Sequence, residues 1–175
     1  ITMVEDVQFA HYDPNVASLM QLGKWFDYMR ENGVYDNTRI ILVADHGRGL
    51  YLNWDRVIDN GPDTDFFFPL LMVKDFNAKG FSFSDTFMTT ADVPTLATSG
   101  LIDNPTNPFT GNAINANAKY DRPFYAFMSY DWDTSKNNGN QFFPGTWYRV
   151  DNQNARDKRN WVMVGENTVL PDALR

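Results

Sequence analysis

Thr38-Arg39-Ile40-Ile41-Leu42-Val43-Ala44 runs directly into Asp45-His46-Gly47, and this junction decides how the chain is read. An apolar, β-branched run opened by Asp36-Asn37 has the character of a buried strand of a parallel sheet. Open α/β sheets bind ligands beyond the carboxyl ends of their strands. A carboxylate and an imidazole delivered there, with Gly47 easing a sharp turn, would supply part of a metal site. The same residues also suit a plain polar turn in which Asp45 caps the next segment and His46 is merely exposed.

The surrounding composition is that of a folded domain. The chain has 175 residues, 43% of them hydrophobic, with fourteen Phe, eight Tyr and five Trp, enough apolar surface for a real core. A net charge of −7 argues against a nucleic-acid phosphate binder, which would carry a basic face. It leaves room for an anionic substrate, because a bound cation inverts the local field. Cysteine is absent, which removes disulfides, thiolate metal sites and thiol nucleophiles together. No apolar run approaches the roughly 20 residues of a membrane span. No signal peptide is visible and the chain begins at Ile1, so a fragment of a longer protein is expected.

Upstream of the junction, Asp13-Pro14 reads as a helix start, with Asp13 as N-cap and Pro14 at the first helical position. Val16, Leu19, Met20, Gly23 and Phe26 recur at helical spacing, widened by Leu22, Trp25 and Met29, and predict one buried stripe. Gly33 is the expected left-handed C-cap residue. Downstream, 48–65 reads as a loop over the site, and Phe66 to Val73 as a second apolar strand with Pro69 marking an edge or bulge. Thr89 or Thr90 caps a short helix that runs to about Ser99 and closes at Gly100, with Pro94 in its first turn and Asp92 serving as cap. From Tyr120 the character changes. Phe124–Tyr130 and Gln141–Val150 read as strands around the turn signal Lys136-Asn137-Asn138-Gly139-Asn140, and Trp161-Val162-Met163-Val164 adds a third. The tryptophans Trp25, Trp132, Trp147 and Trp161 read as packing residues, whereas Trp54, in the loop after the junction, is the best placed for substrate contact.

Three blocks in order, Gly33-Val34-Tyr35-Asp36-Asn37-Thr38 through Asp45-His46-Gly47, Phe68-Pro69-Leu70-Leu71, and Thr90-Ala91-Asp92-Val93-Pro94-Thr95-Leu96-Ala97 with Gly100, resemble the sulfatase-like branch of the alkaline phosphatase superfamily. The resemblance covers roughly residues 14–110 and is nearest to membrane-anchored bacterial phosphoglycerol and phosphoethanolamine transferases. It implies an α/β class: residues 1–119 as the C-terminal half of an alkaline-phosphatase-like α/β/α sandwich, and 120–175 as a small appended antiparallel β subdomain. It also implies a divalent cation (Mn, Zn, Mg or Ca) held by an upstream acid, a Thr, Ser or formylglycine nucleophile, and the Asp-His pair matched here by Asp45 and His46.

The departures from the family pattern are specific. Nothing here resembles the half that carries the first acidic ligand and the nucleophile, so no catalytic nucleophile is expected in this chain. Only two His occur, which leaves no counterpart for a further His after the Asp-His-Gly block. Arg48 and His11, with Trp54, remain as substrate-binding candidates. The expectation is therefore a fragment of a metal-dependent phosphoryl- or sulfuryl-transfer enzyme acting on envelope lipid or polysaccharide at the outer face of the bacterial inner membrane. On its own it would be inactive. The rival expectation is a non-catalytic interaction domain that forms a homodimer or complements a missing N-terminal half.

Overall fold

The computed structural model describes residues 3–49, 54–129 and 143–174, with side chains for 12–49, 55–129, 143–172 and 174. The chain folds as two interleaved compact units. One comprises Ile1–Leu52 with Phe68–Asp103, the other Asn53–Phe67 with Asn104–Arg175. Helices and antiparallel sheets are mixed, so the class is broadly α/β.

In the first unit, helix α1 spans Met3–Glu31 and contains Pro14 in its interior, so Asp13-Pro14 does not start a helix. Proline's fixed φ is already helical, and what it forfeits is one N–H donor. Ser18 Oγ donates to the Pro14 carbonyl at 2.8 Å in the next turn. The end is set as the sequence requires. Gly33 takes φ +69°, the Val34 N–H reaches the Met29 carbonyl at 3.0 Å, and the Gly33 N–H reaches that of Arg30 at 3.0 Å. These two bonds make a Schellman cap. The expected buried stripe is largely uncovered: Met29 is buried, but Leu19, Met20 and Trp25 are each more than half exposed.

Strand β1, Ile40–Val43, pairs with β2, Leu71–Lys74, in the register Ile40↔Lys74 to Val43↔Leu71. This is a two-stranded antiparallel sheet, not part of a buried parallel one. A parallel pair needs a crossover of a dozen or more residues, usually a helix, and here the intervening chain passes through the second unit. Val43, Met72 and Val73 consequently keep solvent exposure that a doubly covered strand would lose. The second strand is also shorter than expected, because Phe66 and Phe67 lie in the 3-10 turn Thr64–Phe67.

Polar clamps hold this unit. Arg39, at the mouth of β1, donates from Nη1 to the carbonyls of Leu96, Ala97 and Ser99 at 3.0, 3.1 and 2.7 Å. Those carbonyls end helix α2, Val93–Thr98, and its chain reverses at Gly100 with φ +70°. Arg39 Nε also donates to Asp75 at 2.9 Å. Lys74 Nζ donates to the Tyr35 and Thr38 carbonyls. Ahead of α2, the Asp92 carboxylate accepts from the Thr89 N–H at 2.7 Å, a capping box at the first of the two threonines expected to cap.

The second unit contains the sheet β3 (Phe124–Met128), β4 (Gly145–Val150) and β5 (Trp161–Thr168), antiparallel in sequence order. The three-stranded sheet matches the sequence reading, while the turn at 136–140 and Trp132 lie outside the described residues. Ala126, Tyr148, Val150 and Trp161 are buried together, with Ile58, Phe67, Phe124 and Ala155 packed against them. Trp161 stacks at a tilt on Phe67, 4.9 Å between centroids, and its indole N–H donates to the Ala155 carbonyl at 2.8 Å. The indole is thereby both packed and satisfied. Among the described residues, no helix is long and apolar enough to cross a membrane.

Candidate metal centre

The ladder carries one residue beyond β1, where the Ala44 N–H donates to the Leu70 carbonyl at 3.0 Å, and then releases the chain. Asp45 and His46 therefore sit at the carboxyl end of the strand, as the sequence implied. Asp45 Oδ1 accepts from the His46 backbone N–H at 2.9 Å. His46 Nδ1 lies 2.7 Å from the Gly47 carbonyl oxygen. A carbonyl can only accept, so Nδ1 is the protonated nitrogen in this contact. In the neutral ring Nε2 then carries the free lone pair, and a backbone carbonyl on the other nitrogen is the usual way a ligating imidazole is oriented.

Nε2 stands 3.8 Å from Asp45 Oδ2. That separation is less than twice the roughly 2.1 Å bond of N and O ligands, short enough for a single cation to reach both donors. The two side chains are 89% and 67% exposed, for Asp45 and His46 respectively. Donor type and spacing thus fit a divalent ion; donor number falls short. No group of three or more acidic or His side chains converges among the described residues. Two donors in open water make a weak site.

Arg48 follows Gly47, is exposed, and makes no hydrogen bond or ion pair among the described residues. Asp59, a carboxylate eleven residues further on, meets Lys158 Nζ at 3.4 Å. The backbone of His11 belongs to α1 and that of Trp54 to the 3-10 turn Trp54–Arg56, but both side chains lie outside those described. Sequence reading passed over Arg39, hidden in a stretch read as apolar strand. The available signal was a lone cation opening that strand ahead of a glycine-terminated helix.

A scan against protein-family models found no match, and comparisons with curated proteins and with solved structures found none either. The resemblance therefore rests on the sequence blocks alone.

Proposed function

We propose that this chain is part of a metal-dependent enzyme transferring phosphoryl or sulfuryl groups on envelope lipid or polysaccharide, of the sulfatase and phosphoglycerol or phosphoethanolamine transferase type. The observation that supports this reading is the Asp45–His46 pair: a strand-end carboxylate beside an imidazole whose Nδ1 is tied to Gly47 and whose Nε2 faces Asp45 Oδ2 at 3.8 Å. In the intact enzyme the two side chains hold a divalent cation within an alkaline-phosphatase-like sandwich, and further ligands and the nucleophile come from family blocks not matched in this chain. Such an ion, when bound, lowers the pKa of a hydroxyl nucleophile and neutralises charge on the transferred group. The protein's own share is positional. Gly47 fixes the His46 tautomer, the His46 N–H holds Asp45, and Arg48 offers a planar fork of donors to substrate oxygens. The proposed setting is the outer face of a bacterial inner membrane.

Titration with Mn²⁺, read by water-proton relaxation, tests the reading. Weak binding is expected, reduced at least about tenfold by Asp45→Ala or His46→Ala, the equivalent of about 1.4 kcal/mol. Equal binding by all three proteins would dismiss the pair as ligands. Turnover of p-nitrophenyl phosphate by the 175-residue chain is expected to be absent, and metal-dependent multiple turnover would place the nucleophile within it.

A second reading, an interaction module that pairs with another copy of itself, draws on the exposed apolar residues of α1 and on sheet edges of β1 and β2 that are unpaired among the described residues. Light scattering at rising concentration separates the two. A monomer throughout retires this second reading.

A further inference from the structure

The second unit contains a cleft unrelated to the Asp45–His46 pair. It is lined by two short polar stretches, Tyr120-Asp121-Arg122-Pro123 ahead of β3 and Asp151-Asn152-Gln153 after β4. It measures about 430 Å³ and is polar and widely open to solvent. The second stretch is a type I′ turn: Asn152 and Gln153 take φ +56° and +52°, and the Asn154 N–H closes on the Asp151 carbonyl at 3.5 Å. Gln153 is an unusual residue for a left-handed position. Its Nε2 donates to the Tyr120 carbonyl at 2.6 Å, which ties the turn to the facing stretch.

The charges choose the ligand. Asp151 is neutralised by Arg149, which grips both its oxygens at 2.8 and 3.0 Å. Asp121 and Arg122 are exposed, and neither side chain has a hydrogen-bond or ion-pair partner among the described residues. They add one charge of each sign, so the lining is neutral as a whole. A small anion at Arg122 would meet the Asp121 carboxylate, a cation would meet the guanidinium, and an apolar molecule would find few apolar walls. A neutral molecule dense in hydroxyls meets all of these groups on favourable terms: Asp121 accepts, Arg122 donates through a planar fork, and the side-chain oxygens of Asn152 and Gln153 accept. The half-exposed Tyr120 ring supplies a surface for C–H groups, while the Lys119 ammonium lies 5.5 Å from its centroid.

We propose that this cleft binds a neutral pyranose sugar. The site shares no residue with the metal reading, so either can fail alone. Methyl glycosides of glucose, galactose, mannose and N-acetylglucosamine are titrated into the isotope-labelled chain and followed by amide ¹H–¹⁵N spectra. Saturable shifts at residues 120–122 and 151–154 with at least one glycoside are expected. Arg122→Ala and Asp121→Ala, both at exposed positions, are expected to keep the parent's Tm and weaken binding at least about tenfold. Absence of shifts with every glycoside would overturn the proposal. So would binding indifferent to both substitutions, or stronger saturation of the same amides by methyl phosphate than by any sugar.

Discussion

The sheet β3–β4–β5 and the pair β1–β2 are both antiparallel, yet they are held by different forces. Around the first, Val150 is fully buried and Tyr148, Trp161 and Ala126 nearly so, each on a neighbouring strand or register position. Among the described apolar side chains of the first unit, only Met29 and Ile40 reach comparable burial. There the work falls to Arg39 and Lys74, whose cationic ends gather backbone carbonyls from α2 and from the 35–38 loop. The contrast shows that one chain can specify one unit by packing and another by capping. Polar capping fixes geometry without hiding apolar surface, so the second mode leaves α1 exposed.

The sharpest way to break the comparison is Trp161→Ala. It removes a large buried ring and orphans the Ala155 carbonyl, at a cost of about 3–5 kcal/mol. Urea unfolding followed by Trp fluorescence or circular dichroism checks this, and a loss below about 1 kcal/mol would mean that the apolar cluster is not what secures the second unit. Next in size is Arg39→Ala. Three carbonyls lose a charged donor that is only 10% exposed, and about 2–3 kcal/mol is expected. Hydrogen exchange should accelerate at 95–101 and 71–74 while the β3–β5 amides keep their protection. Uniform acceleration would show that the clamp serves the whole chain.

The smallest effect concerns acid. Arg159 holds the Asp157 carboxylate down at about 2, first through its guanidinium and then through its backbone N–H. A depressed acid contributes stability that is present above its unfolded value near 4 and is lost as the pH falls through about 2. Because the Arg159 side chain is 85% exposed, solvent screening keeps the contribution small. Unfolding midpoints measured between pH 5 and 2 should fall less steeply in Asp157→Asn than in the parent chain, and identical slopes would remove this pair from the acid response.

What the sequence disclosed were local features. Gly33, the Thr89–Asp92 capping box and Gly100 act within a turn of their own helix, and each stands where the sequence put it. The strand-end position of Asp45 and His46 was legible for the same reason. Strand direction was not: Ile-Ile-Leu-Val suits either orientation, and the partner that decides it, Leu71–Lys74, lies some thirty residues away. Pro14 misled because its ring tolerates a helix interior about as well as a helix start in φ alone. The apolar stripe of α1 was visible, but what covers a stripe is not written in its spacing. The cleft went unread because Asp121-Arg122 and Asp151-Asn152-Gln153 look like ordinary turn residues until β3 and β4 bring them together.

The interleaving of the two units has a consequence for vectorial synthesis. Phe67 leaves the ribosome long before Trp161, the ring it packs against at 4.9 Å. At elongation rates of about 5–20 residues per second, the delay is on the order of 10 s. Throughout that interval Asn53–Phe67 is a tethered loop whose apolar side chains have no sheet to receive them, while β1 and β2 on either side are already available to pair. Until β5 has been made, Ile58 and Phe67 of a nascent chain therefore stay without the cluster that they pack against in the fold.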